Sequence, residues 1–267
     1  MNNVAHEIKS NKSEKKIKIC TASLNIEIIC PFGKNFYDFK RYLRQFDDPD
    51  ISIHISQNDL DQERLLHPEI VDPDVLVNHD NVMVTYDYGC LEPFVALKKI
   101  ADAVLPFDIF LFHGAVVEKD GYAYIFTAPS GTGKSTRIQL WLEKYPDSTV
   151  VNGDKPFIKI TDGDILACGS PWAGKEGWNT NIMVPLHAIF LLERDDEHKG
   201  NSIEEIGIGK AFPFLLQQSH YPKNPDALRK TIQLIQSLNG KVRFYRLRSA
   251  PTKEAVQLAY ETARPRG

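Results

Sequence analysis

The chain has 267 residues, one to two domains at about 150 residues each. Hydrophobic residues make up 42% and charged residues 25%, enough to bury a sizeable core. Lys and Arg number 32 against 35 Asp and Glu, so the basic surplus of a phosphate-backbone binder is missing and no nucleic-acid partner is expected. No stretch reaches the ~20 apolar residues that cross a bilayer, so no membrane partner is expected either. The start is polar, with Lys9, Lys12, Lys15, Lys16 and Lys18 and no apolar signal core. Cys20, Cys30, Cys90 and Cys168 lie far apart without a CxxC pair. They read as reduced, mostly buried thiols of a cytoplasmic protein.

In chain order, residues 1–15 are rich in Asn, Ser and Lys and are expected to be a disordered tail. Ile17 to Cys30 reads as a strand or hairpin. Phe36, Phe39, Tyr42, Leu43 and Phe46 recur at helical spacing. Ile51 to Ile55 alternates as a strand does, and Val82 to Tyr86 is a further β-rich run. Residues 16–90 thus form a small N-terminal α+β module, the candidate for partner recognition, whose sequence names no chemistry. A helix from Leu91 to Val104, closed by Pro106, opens the second module, residues 91–267.

The apolar runs Ile109 to Val117 and Tyr122 to Thr127 flank Asp120-Gly121, a hairpin signal. The second run leads into Ala128 to Thr136 and then a helix. Thr149 to Val151 is a strand ending on Asn152-Gly153-Asp154. Phe157 to Ile160 and Ile165 to Ala167 form a second hairpin around Asp162-Gly163-Asp164. A strand is expected over Ile182 to Leu192 and another over Val242 to Leu247. Helices are expected over Ala211 to Ser219, Pro225 to Ser237 and Thr252 to Ala263.

Ala128 to Ser135 follows the pattern GxxxxGK[ST], with Ala in place of the first Gly. Gly131 and Gly133 let successive amides turn inward around a polyphosphate at a helix start. Lys134 supplies charge to the β- and γ-oxygens and Ser135 a hydroxyl for Mg²⁺. Ser130, Gly131, Thr132, Gly133, Lys134, Ser135 and Thr136 are therefore the candidate nucleotide site, with ATP and Mg²⁺ as the expected cofactors. The plainer alternative is a glycine-rich turn capping a helix at Ser130 or Ser135. A phosphate loop that follows one hairpin and precedes another fits a mixed or antiparallel sheet better than a doubly wound one.

Phe112-His113-Gly114-Ala115, Ser130 to Ser135, Asn152 to Pro156 and Gly169-Ser170-Pro171-Trp172-Ala173-Gly174-Lys175 together resemble the HPr kinase/phosphorylase family and its phosphoenolpyruvate-carboxykinase-like relatives. The resemblance implies an α/β fold of α+β character, a mixed or antiparallel sheet carrying a phosphate loop. It also implies an ATP-dependent kinase acting on a serine hydroxyl of a protein or peptide, and a homo-oligomer, since HPr kinases form rings. Asp154, just beyond a strand, is placed to hold Mg²⁺ with Ser135 or to take the acceptor proton; the alternative is a turn that merely caps a hairpin. A lone His at a strand end is otherwise structural, but the resemblance puts His113 beside the γ-phosphate, paired with Asp154. His113, Lys134 and Asp154 are the expected catalytic residues. The family carries two adjacent Asp where this chain has Gly153-Asp154, so a mechanism with separate base and metal carboxylates is not expected there.

Lys175 and Asn179 are candidate acceptor contacts. Lys175 sits beside Glu176 in a loop bounded by Gly174 and Gly177 and flanked by Trp172 and Trp178; a solvated charge pair is the equal alternative. Glu193, Asp195 and Asp196 read as a solvated strand end. Two other functions stay open: a nucleotide-binding scaffold without phosphotransfer, and a small-molecule kinase.

Overall fold

A computed structural model of the chain describes residues 14–66, 78–79, 82–83, 88–129, 131–193 and 200–265. The expected tail up to residue 13, most of the strand expected over Val82 to Tyr86, and Ser130, Asp195 and Asp196 lie outside the described residues.

The N-terminal hairpin joins β1 (Lys15–Thr21) to β2 (Leu24–Cys30). Its turn residues Ala22 and Ser23 both take positive φ, 50° and 65°, the backbone twist a tight hairpin requires. β3 (Ile51–His54) pairs parallel with β2. The helix expected over Phe36 to Phe46 is instead a single 3₁₀ turn, Tyr37–Arg41. Phe36, Phe39 and Tyr42 are spaced by three, the 3₁₀ repeat. Beyond the turn the chain abandons helix to hydrogen-bond β1, the Cys20 amide donating to Tyr42 O at 2.8 Å and the Arg44 amide to Lys18 O at 3.1 Å. α1 (Gln57–Leu66) was not anticipated. Its signal is a Ser-x-x-Asp capping box, in which the Ser56 amide donates to Asp59 Oδ2 at 2.8 Å and the Asp59 amide to Ser56 Oγ at 3.2 Å. β4 (Asn78–His79) and β5 (Val82–Met83) form a two-residue ladder. α2 (Glu92–Ala103) follows as expected.

The apolar run from residue 109 breaks at Phe112-His113-Gly114 into β6 (Ile109–Leu111) and β7 (Ala115–Lys119). β8 (Tyr122–Thr127) returns antiparallel to β7 through Asp120 and Gly121, both left-handed. Then come α3 (Lys134–Lys144), β9 (Thr149–Asn152), β10 (Phe157–Ile160), β11 (Ile165–Cys168) and β12 (Met183–Glu193). The chain closes with β13 (Ser202–Ile206), α4 (Ile208–Gln217), α5 (Pro225–Gln236), β14 (Arg243–Arg248) and α6 (Lys253–Ala263).

Nine strands form one mixed sheet in the order β6-β10-β11-β12-β8-β7-β9, with β14 and then β13 branching from β12. The two hairpins make it mixed, as the sequence implies. Its centre is parallel: β12 runs alongside both β8 and β14. β8 and β12 read as largely apolar runs because both faces are covered, whereas β14 intersperses Arg243, Arg246 and Arg248 with buried Phe244, Tyr245 and Leu247. Ile125 and Ile189 pack on one side with Leu215 and Leu234 of α4 and α5. Their neighbours Phe126 and Phe190 pack on the other with Ile138 and Trp141 of α3 and Val256 of α6. Phe126, Phe190 and Tyr245 stack across the three strands, with ring centroids 5.0 and 5.4 Å apart. Each such fully buried side chain contributes about 1.5–3 kcal/mol.

A third cluster unites β1–β3 with Val95 and Ile100 of α2 and with Ile109, Phe157 and Cys168 of the main sheet. All four cysteines are free, two of them buried, and burial pushes the Cys30 and Cys168 thiols up to about 12. Among the described residues no helix is long and apolar enough to cross a membrane.

Candidate functional site

The parallel strands β8, β12 and β14 bring their C-terminal ends, Thr127, Glu193 and Arg248, to one edge of the sheet. The glycine-rich loop leaves β8 at that edge. Gly131 and Gly133 have φ of 78° and 91°, the left-handed conformation that only glycine adopts without strain. Ala128 has no positive φ, so replacing the motif's first Gly costs nothing in backbone strain. Lys134 opens α3 and folds back, Nζ donating to Ala128 O at 2.9 Å. Thr132 Oγ1 donates to Pro129 O at 2.8 Å. Burial lowers the pKa of Lys134 and nearby Lys155 adds to this, while the Asp154 charge opposes both.

Facing the loop is the turn after β9. Buried Asn152 organises it: Oδ1 accepts from the Asp154 and Lys155 amides at 2.8 and 2.7 Å, and Nδ2 donates to Ser170 O and Oγ at 2.9 and 3.1 Å. This is an Asx turn. The Asp154 carbonyl accepts from the Gly114 amide at 2.9 Å, and the His113 amide donates to Gln218 O at 2.7 Å. His113 Nε2 thereby lies 3.2 Å from Asp154 Oδ1. Burial alone would raise the Asp154 pKa, but the His113 hydrogen bond and the Lys155 and Lys134 charges outweigh it and hold the carboxyl below its usual range.

Gly153 has a spatial reason to be glycine. A Cβ there would stand 2.7 Å from the Ala173 carbonyl oxygen and 3.4 Å from that of Trp178. No second carboxylate fits beside Asp154 on this turn.

A cleft of about 650 Å³ joins the two sides. Gly131, Gly133, Lys134, Ser135 and Thr136 line one wall, His113 and Asp154 the other, and Gly174 to Glu176 with Trp178 the mouth. Lys175 reaches that mouth with an 89% exposed side chain, 4.0 Å from Glu176 Oε1. Thr132 and Asn179 do not line the cleft. Asn179 is buried in an isolated bridge to Asn152, its carbonyl accepting from Arg41 Nη1. It belongs to the support of the turn, not to the acceptor wall. Gln139 lines the cleft unanticipated; it follows Ser135 and Thr136 on one helix face, a phase the sequence carried. Glu193 pairs with Arg246 and Arg248 at 2.9 and 3.1 Å, the solvated strand end expected.

Residues 169–182 separate the turn from the N-terminal hairpin and are held from behind. Thr21 Oγ1 donates to Gly169 O at 2.7 Å, Asn181 Nδ2 to Cys20 O at 3.0 Å and Trp172 Nε1 to Pro93 O at 2.9 Å.

Ser135 and Asp154 offer Mg²⁺ the hard oxygen ligands it takes. Among the described residues no three His, Cys, Asp or Glu converge as a metal site.

No protein-family model matches the chain, and no curated protein is similar to it in sequence. A solved structure of the Hpr(Ser) kinase/phosphatase from Coxiella burnetii is distantly similar, over 57% of this chain and 91% of that one, at 9% identity and a TM-score of 0.34. So distant a likeness assigns no residue a role.

Proposed function

We propose that the protein is an ATP-dependent kinase of the phosphate-loop type found in HPr kinases, transferring the γ-phosphoryl group to a hydroxyl. The observation that carries this is the opening of the glycine-rich loop and the His113–Asp154 pair onto one cleft. Lys134, held in the free protein by its own loop carbonyls, turns to the β- and γ-oxygens when they arrive. The loop amides neutralise the remaining charge. Ser135 and Asp154 would hold Mg²⁺, which would supply further charge neutralisation to the phosphates. Asp154, ionised at neutral pH, orients the acceptor hydroxyl and receives its proton as the new O–P bond forms and the bond from Pγ to the β–γ bridging oxygen breaks, releasing ADP. His113 holds that carboxylate in place. The resemblance of the His-Gly, phosphate-loop and Asn-Gly-Asp motifs makes a serine of a protein or peptide the acceptor we favour.

Calorimetry with Mg²⁺-ATP tests the site: Lys134→Ala weakens binding about a hundredfold, whereas Asp154→Asn, which keeps an oxygen ligand but loses its charge, weakens it by no more than about tenfold. Unchanged affinity in Lys134→Ala removes the loop from the account. The crowding that leaves Gly153 bare and Asp154 the only acid on the turn favours one rival, a nucleotide-binding scaffold; it predicts tight nucleotide binding with no phosphorylated product on any protein, peptide or hydroxy amino acid.

A further inference from the structure

One turn into α3 lies a cation that the proposed reaction does not use. Arg137 is 2% exposed, and no carboxylate pairs with it among the described residues. Its Nη2 donates to Ser249 O at 2.7 Å and Ser249 Oγ at 3.0 Å, and its Nη1 to Thr132 O at 3.2 Å. Nε is buried with no hydrogen-bond partner. Burying a charge without a counter-ion is costly, and an apolar side chain of similar length would fill the space without that cost. The partners of the guanidinium suggest what it is kept for.

A loop that turns its amides inward to a polyphosphate must turn carbonyls outward, and outward carbonyls at a buried face need donors. Ala128 O and Pro129 O take theirs from Lys134 and Thr132. Lys134 is lost to them once it turns to phosphate. Thr132 O takes its donor from Arg137, which sits outside the cleft and has no reason to let go. The guanidinium also lies against Gly133, where a Cβ would stand 3.3 Å from Nη1 and 3.9 Å from Pro251 Cγ.

We propose that Arg137 is a positioning residue for the nucleotide: by clamping the Thr132 carbonyl to the Ser249–Pro251 segment, it presets the amides of residues 131–134 for a polyphosphate. The inference rests on the proposed nucleotide site and adds the segment after β14 to it, although that segment does not line the cleft.

Full-length protein is titrated with Mg²⁺-ATP in a calorimeter, and its melting temperature is recorded alongside. Arg137→Met weakens binding about tenfold, and Arg137→Lys, which keeps the charge but not the two-armed grip, about threefold. Ser249→Ala, which removes one of the two Nη2 acceptors and so loosens the clamp, weakens binding about twofold, less than Arg137→Lys does. Arg137→Met and Arg137→Lys that melt earlier but bind as tightly as the parent overturn the proposal, since Arg137 then serves stability alone. If Arg137→Met does not fold, Arg137→Lys decides by the same criterion. A parent protein that does not bind Mg²⁺-ATP overturns the nucleotide site itself, and Arg137's role with it.

Discussion

The two walls of the cleft are built differently. On the phosphate wall the bonds within the loop span three residues, from Thr132 to Pro129, and six, from Lys134 to Ala128, and one long-range tie backs them, Arg137 to Ser249 across 112 residues. The acidic wall is assembled at long range. Asn152 reaches Ser170, 18 residues on, and the segment behind it is tied to the N-terminal hairpin and the 3₁₀ turn after it by bonds spanning 148 residues from Thr21, 161 from Cys20 and 138 from Arg41. A short motif therefore suffices to recognise the first wall. The second exists only once the whole chain has folded, so damage to the two walls should separate into lost nucleotide affinity and lost transfer.

The largest separation is expected from the acid. Asp154→Asn, which keeps size, should lower the melting temperature modestly because the carboxylate's stabilisation is lost, weaken Mg²⁺-ATP binding by no more than about tenfold, and reduce phosphotransfer about 10²–10⁴-fold; measuring binding and transfer on one preparation checks both. Gly153→Asp, which drives a Cβ toward the Ala173 carbonyl, should not add a second working acid. It should cost about 1–3 kcal/mol of stability, read as a lower denaturant midpoint, and lower transfer more than nucleotide binding.

The walls should also part in their pH response. Lys134 binds phosphate as an ammonium, and burial lowers its pKa in the free protein. Affinity should therefore start to fall at a pH below the ordinary lysine value of about 10.4, with proton uptake on binding seen as a buffer-dependent enthalpy. Asp154, held below its usual range, contributes stability that is fully present above the unfolded carboxylate value of about 3.9 and is lost as pH falls through its lower folded value. Asp154→Asn should flatten that acid limb. Least of all, Thr21→Val behind the acidic wall, removing the buried bond to Gly169 O, should cost about 1 kcal/mol and slow transfer without changing nucleotide affinity.

What the sequence disclosed follows the same division. The Asp120-Gly121 hairpin, the glycines at 131 and 133 and the three phased helices after residue 207 are local signals, and these appear in the structure. The parallel centre was not legible, because nothing near Ile125 announces that it will lie beside Ile189. The break at Phe112-His113-Gly114 was hidden inside one apolar run. It follows from the pairing, β6 lying beside β10 while β7 lies between β8 and β9. β13 escaped because its Glu204 and Glu205 look like loop. They are paid for across the ladder by Arg246 and Arg243 of β14, as charges on an edge strand commonly are. In the site, the convergence of the glycine-rich loop and Asp154 on one cleft follows from motifs visible in the sequence, whereas the place of Asn179 outside that cleft does not, because its partners Asn152 and Arg41 are distant in sequence.

The central claim is that one cleft holds a triphosphate on the glycine-rich loop and an acceptor hydroxyl at Asp154. Intact-mass spectrometry of proteins and peptides from the source cells, incubated with the purified protein and Mg²⁺-ATP, tests it most directly. The account predicts a phosphoryl group added to a discrete acceptor by the parent protein and not by Asp154→Asn. Addition that persists in Asp154→Asn, or no addition by a parent protein that binds Mg²⁺-ATP, would contradict it.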